Sequence, residues 1–158
     1  MKRDVEIVLV EQGDGGTLYS LRFDGEKETQ LVKFLQSKLL REEKGFYEIV
    51  QRLSSMTDSL GFREQFFEMN EGSRTDSVAA LKRGRIRLYC LRWSTSLLNV
   101  GTGGLKTAQK DMTLRHIVPE LQELDKLIMM RMRSGDIEID HNNGSMRGNL
   151  TFKSGDIS

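Results

Sequence analysis

The chain is poor in the residue types that most often betray a chemistry. It has one cysteine, Cys90, and two histidines, His116 and His141, among 158 residues. A lone cysteine excludes an internal disulfide and fits a reducing compartment. No spacing joins it to the histidines or to carboxylates as zinc ligands would be joined, so no metal is expected. Either histidine could serve as a general acid or base, since imidazole titrates near neutrality, but a surface or capping place is by far the commoner role for each. No apolar run reaches the length of a membrane span, and Met1-Lys2-Arg3-Asp4 leads into a charged segment rather than the apolar core of a signal peptide. A cytoplasmic protein without membrane contact is the expectation. Formal net charge is only +1, so whole-molecule electrostatics offers no argument for a polyanionic partner. With 37% hydrophobic and 30% charged residues, the chain suits one globular domain that needs neither disulfide nor cofactor to fold.

What the sequence does have is segregated charge. Lys82, Arg83, Arg85, Arg87 and Arg92 fall in a stretch without a single acid, whereas Asp4, Glu6, Glu11, Asp14, Asp24, Glu26 and Glu28 crowd the N-terminal part. Hydrophobic periodicity then divides the chain. Val5 to Val10 and Leu18 to Phe23 predict two strands, joined through Gly13-Asp14-Gly15-Gly16 as a hairpin. Leu31, Phe34, Leu35 and Leu39 predict a first helix ending near Lys44-Gly45, and Phe46, Ile49, Val50, Leu53, Met56 and Leu60 a second ending at Gly61. Arg63 to Ala80 reads as a loop. Beyond Gly84 the alternation of Ile86, Leu88 and Cys90 with Arg85, Arg87 and Tyr89 is the clearest strand, with Leu97 to Val100 as its antiparallel neighbour across Ser94-Thr95-Ser96. Leu114 to Ile128 predict a third helix with Pro119 in its first turn, stopped by Gly135. Ile137 and Ile139, the turn Asn142-Asn143-Gly144, and a return through Leu150 and Phe152 predict a closing hairpin.

Chemistry concentrates on the Arg85 strand. Parity puts Arg85, Arg87 and Tyr89 on one face, where guanidinium groups bind phosphate bidentately and a tyrosine stacks on an unpaired base. The plain alternative is a sheet with one solvated face, on which arginines need no ligand. Cys90 shares the parity of Ile86 and Leu88 and reads as buried and inert. The glycine-rich run Gly101-Thr102-Gly103-Gly104-Leu105-Lys106, followed by Lys110, lacks the G-x-x-x-x-G-K spacing of a nucleoside-triphosphate loop, so that activity is unsupported.

Arg85-Ile86-Arg87-Leu88-Tyr89-Cys90, then Leu97-Leu98-Asn99-Val100, then Gly103-Gly104-Leu105-Lys106-Thr107-Ala108-Gln109-Lys110, resembles the RelE/ParE toxin superfamily, particularly its HigB-like branch. The resemblance spans roughly half the chain and rests on a short pattern. It implies an α+β fold, with a small curved antiparallel sheet packed against two or three helices. To that core this chain adds hairpins at both ends, in one domain over 1–158 whose C-terminal extension covers about 135–158. It also implies metal-independent mRNA cleavage, with RNA or the ribosome and an antitoxin protein as partners. Carried over by position, Arg87 matches the family's strand arginine, Lys106 the lysine after the second strand and Tyr89 a common aromatic position; Arg85, Arg87 and Lys106 would then stabilise the reacting phosphate, and Tyr89, Arg83 and Lys110 would hold the RNA. No match to a C-terminal catalytic histidine or tyrosine is present. A non-catalytic interaction module of the same fold, binding nucleic acid or an acidic protein, fits the same residues, and so does an assembly protein whose Arg85 strand is covered in a homo-oligomer.

Overall fold

A computed structural model describes residues 3–69, 77–106 and 116–156. Eight strands and four α-helices are assigned among them, which makes the protein α+β. The strands are β1 (Val5–Gln12), β2 (Thr17–Phe23), β3 (Val78–Arg83), β4 (Ile86–Ser94), β5 (Leu97–Leu105), β6 (Ile137–Asp140), β7 (Ser145–Gly148) and β8 (Thr151–Phe152). The helices are α1 (Gln30–Gln36), α2 (Lys38–Arg41), α3 (Phe46–Ser55), which continues into a wide π-type turn at Met56–Leu60, and α4 (Ile117–Ser134).

Six strands form one sheet in the order β3-β4-β5-β2-β1-β8, while β6 and β7 pair separately. The expected antiparallel pairing of β4 with β5 is present, Ile86 facing Leu105 and Cys90 facing Val100. One pair is parallel, β2 against β5, with Thr17 beside Leu97 and Ser20 beside Val100. The N-terminal hairpin is therefore not an addition at the margin, since β2 sits between β1 and β5 inside the sheet.

The sheet is covered on both faces. Leu18, Ile86, Leu88, Cys90, Leu98 and Val100 turn toward Leu31, Phe34, Leu40, Phe46, Ile49 and Leu53 of the first three helices. Tyr19, Leu21, Phe23, Leu91 and Leu97 turn toward Ile117, Leu121, Leu124 and Ile128 of α4 and toward Ile137 and Met146. Alternation along β2 and β4 sends successive side chains to opposite cores, as a pleated strand must. Ser20 fastens the first helix to the sheet: its hydroxyl accepts from the Leu31 amide at 3.0 Å and donates to the Val100 carbonyl at 2.9 Å.

Helix ends follow local chemistry. The helix expected to run unbroken past Leu39 stops instead at Ser37, whose extended backbone ends α1 and whose hydroxyl accepts the Leu40 amide to start α2. A serine that bonds its own backbone neighbours competes with helix continuation. Pro119 lies in the first turn of α4, where its missing amide costs no hydrogen bond, and Gly135 closes that helix at φ 86.

Two further expectations are corrected. The stretch read as loop from Arg63 to Ala80 contains the start of β3, with Val78, Ala79 and Ala80 fully buried. Two alanines of weak strand preference hid it. The closing hairpin returns through β7, not through Leu150 and Phe152. At Gly148, φ 120, the chain bends so close to Asp136 that an added Cβ would lie 1.9 Å from its carbonyl oxygen, and β8 then joins β1, with Phe152 opposite Val5. Part of the segment read as an extension is thus built into the main sheet.

Candidate functional site

The hairpin between β3 and β4 turns on Gly84 and Arg85, with Arg83 and Ile86 paired across it. Gly84 takes φ 56, a left-handed angle that glycine adopts without strain. Arg85 consequently occupies the turn rather than the strand face its parity suggested. Its Nη2 bonds Oε1 of Glu43, in the link between α2 and α3, and the arginine side chain stays 56% exposed. Arg83, on the other side of the turn, pairs its Nε with Oε2 of Glu48 on α3 at 3.2 Å and donates Nη1 to the Lys82 carbonyl at 2.8 Å. Gly45 admits this contact, since a Cβ there would stand 2.4 Å from that of Arg83.

Lys106, just beyond β5, is exposed, and its amide donates to the Arg85 carbonyl at 2.7 Å. Three of the cations read from the sequence, Arg83, Arg85 and Lys106, therefore have their backbones at one end of the sheet, two from the β3–β4 hairpin and one from the end of β5. Lys110 lies outside the described residues.

Arg87 and Tyr89 do not join them in solvent. Arg87 bends back, its Nη1 donating to the carbonyls of Gly84 at 2.7 Å and Ile86 at 2.9 Å, while its Nε is buried without a partner. Tyr89 is half-buried against the core beneath α4. The face assumed to be solvated is roofed by that helix. Gly101 opposite Tyr89 leaves the space into which Leu121 packs, 3.3 Å from where a Cβ would stand. Arg92, the last cation of the basic stretch, donates Nε to the Phe62 carbonyl at 2.8 Å, and its burial pulls its pKa down against the opposing charge of Glu64. The basic run of the sequence is split by the fold into exposed cations at the turn and structural ones along the strand.

Residues that sequence reasoning passed over complete the site. Glu43 and Glu48 supply its counter-ions, and Arg52, one turn after Glu48 on α3, places its guanidinium 4.3 Å from the centroid of the Phe66 ring. The i and i+4 spacing of Glu48 and Arg52 marks them as neighbours on one helix face, a signal legible in the sequence. Their approach to β3 is not.

Of the other groups considered, His141 lies in the β6–β7 turn and His116 at the N-terminal boundary of α4. Cys90 is fully buried, and desolvation pushes its thiol up to about 12. Among the described residues no cluster of three or more His, Cys, Asp or Glu side chains is placed to hold a metal ion, and no helix is long and apolar enough to cross a membrane. Comparison with protein-family models, curated proteins and solved structures returns no significant match to this chain.

Proposed function

We propose that the protein binds single-stranded RNA across the cationic end of the sheet, with Arg83, Arg85 and Lys106 on the phosphates. The observation that carries this reading is the 2.7 Å hydrogen bond from the Lys106 amide to the Arg85 carbonyl, which sets a third cation beside the arginine turn. Guanidinium groups match phosphate geometry, and an ammonium adds a movable point charge. Glu43 and Glu48 oppose them, but exposed ion pairs contribute about 0 to 1 kcal/mol each, so a polyanion can displace them. The RNA setting goes with a cytoplasmic place for the protein.

The test is titration of a labelled single-stranded RNA at several salt concentrations, with the parent and with Arg83→Ala, Arg85→Ala, Lys106→Ala combined. The parent should bind with a steep salt dependence, and the triple variant more weakly and with a slope reduced by roughly 0.7 for each phosphate it no longer neutralises. A parent without salt-dependent binding, or a triple variant that binds as the parent does, overturns the reading in favour of a protein partner.

The stronger form of this proposal is the cleavage implied by resemblance to RelE-like toxins, with a ribosome as the site of action and an antitoxin as partner. It requires a group that takes the ribose 2′-hydroxyl proton while cations stabilise the charged transition state. Of the exposed cationic end, Lys106 is the residue whose amine, in its neutral form, can take that proton and return it to the departing 5′-oxygen, while Arg83 and Arg85 hold the charged phosphate. The same RNA run on a denaturing gel decides: fragments that vanish in Lys106→Ala support cleavage, and an intact strand leaves binding alone.

A further inference from the structure

Two adjoining hollows lie between α3 and β3, of about 330 Å³ and about 290 Å³, and Arg52 and Arg83 line both. Glu48 and Ser55 border the first, and Phe66, Lys82 and the acidic Glu68 the second. Arg83 is held by Glu48 across this groove. Arg52 is different. Among the described residues its guanidinium has neither a carboxylate nor a hydrogen-bond partner, and the contact that positions it is the ring of Phe66. A ring face attracts a guanidinium without consuming its N–H donors. A cation fixed at the wall of a concavity with its donors unspent is arranged for an oxygen-rich anion.

We propose that this groove is a phosphate subsite for the same single strand, with Arg52 and Arg83 gripping one phosphodiester and Glu48 yielding Arg83 when it arrives. This rests on the nucleic-acid reading above and extends it. The cations succeed one another along the end of the sheet. The Lys106 backbone amide is bonded to the Arg85 carbonyl, Arg85 and Arg83 flank Gly84, and Arg83 shares both hollows with Arg52. A regular polyanion carries charge at every step and suits such a line. Lys82 and the Phe66 ring add a positive and an aromatic border to the far hollow. Glu48 then sets the threshold for binding, because its carboxylate competes for the Arg83 donors that a phosphate oxygen would take.

The experiment compares Arg52→Ala, Arg52→Lys, Glu48→Gln and Arg85→Ala with the parent, by titrating the same labelled single-stranded RNA at low and moderate salt. Arg52→Ala should weaken binding about three- to tenfold, as removal of one ordinary hydrogen bond does, and flatten the salt slope by roughly 0.7. Arg52→Lys should recover part of the loss. Glu48→Gln should strengthen binding a few-fold, an effect no merely structural role predicts. Should Arg52→Ala fail to fold without its hold on Phe66, shown by its melting curve, Glu48→Gln and Arg52→Lys still decide. If Arg85→Ala weakens binding while Arg52→Ala and Glu48→Gln match the parent, the subsite is wrong and the RNA reading stands. If the parent binds no RNA, both fall. If a Glu-rich peptide binds in place of RNA and Arg52→Ala abolishes that binding, the groove belongs to a protein partner and the phosphate assignment is overturned.

Discussion

Arg87 donates through Nη1 to the carbonyl of Gly84 at 2.7 Å, closing the β3–β4 turn from within the strand that follows it. The same nitrogen reaches the Ile86 carbonyl at 2.9 Å. This relationship assigns two neighbouring arginines of one basic run to different tasks. Arg87→Ala should cost about 1 to 2 kcal/mol in chemical unfolding, as partly exposed charged hydrogen bonds to backbone do, while Arg85→Ala should stay within about half a kcal/mol. RNA binding at equal folded fraction should respond in the opposite order. A stability loss at Arg85 that exceeds the loss at Arg87 would show that the turn is held by its salt bridge to Glu43 instead.

Phe152 is fully buried beside Val5, and Arg131 of α4 lies 3.9 Å from its ring centroid while donating to the Thr151 carbonyl at 2.6 Å. The last strand therefore closes the sheet edge over β1 instead of trailing from it. Phe152→Ala should lower stability by about 3 to 5 kcal/mol, measured by urea unfolding monitored through far-ultraviolet circular dichroism. A loss under about 1 kcal/mol, the ordinary effect of a substitution outside the core, would return the segment to the status of an appendage.

The legible parts of this fold were those written in local sequence. Gly13 to Gly16, Asn142 to Gly144 and Gly135 announced reversals because their conformations depend on the residues themselves. Alternation in Ile86, Leu88 and Cys90 named the correct buried face because parity is a property of any strand. The opposite face failed for the complementary reason: whether Tyr89 meets water or α4 depends on where a helix much later in the chain lands, and no local pattern in β4 carries that. β3 was missed because Ala79 and Ala80 are buried by neighbours rather than by preference. At the site, the arginines were visible, but Glu43 and Glu48, which neutralise them, stand far away in sequence, so the charge map of the chain differed from that of the surface.

Asn99 lies in β5 between Leu91 and Tyr19, 1% exposed, with neither its amide oxygen nor its amide nitrogen bonded. Its pairing partners send their side chains into the α4 core. An unpaired buried amide costs about 1 to 3 kcal/mol, so replacing it with an apolar group of similar size removes that penalty. Asn99→Leu should raise the unfolding midpoint by an amount equivalent to about 1 to 2 kcal/mol, less whatever strain its shape adds. Calorimetric melting reads this directly, and a lowered midpoint would mean that the amide finds partners in solution.

Burial of Cys90 makes the stability of the fold fall at alkaline pH. The thiol is fully buried in β4, facing the first three helices, and desolvation pushes its pKa up to about 12 from an ordinary 9.0, opposed by a backbone hydrogen bond involving Gly101. The folded state thus keeps its proton where the unfolded chain releases it. Stability from this group is fully present below pH 9 and is lost as pH rises from 9 toward about 12. Two measurements follow. At about pH 8, below the ordinary thiol pKa, the native thiol should react with a chromogenic disulfide far more slowly than the unfolded chain, because the thiolate is the nucleophile and burial denies both charge and access. Between about pH 9 and 11 the urea midpoint of the parent should fall more steeply than that of Cys90→Ala, after allowing for the lower starting stability of that variant. Equal slopes in the two proteins, or a native thiol that reacts at the unfolded rate, would show that Cys90 meets solvent and that β4 is not sealed beneath the helices.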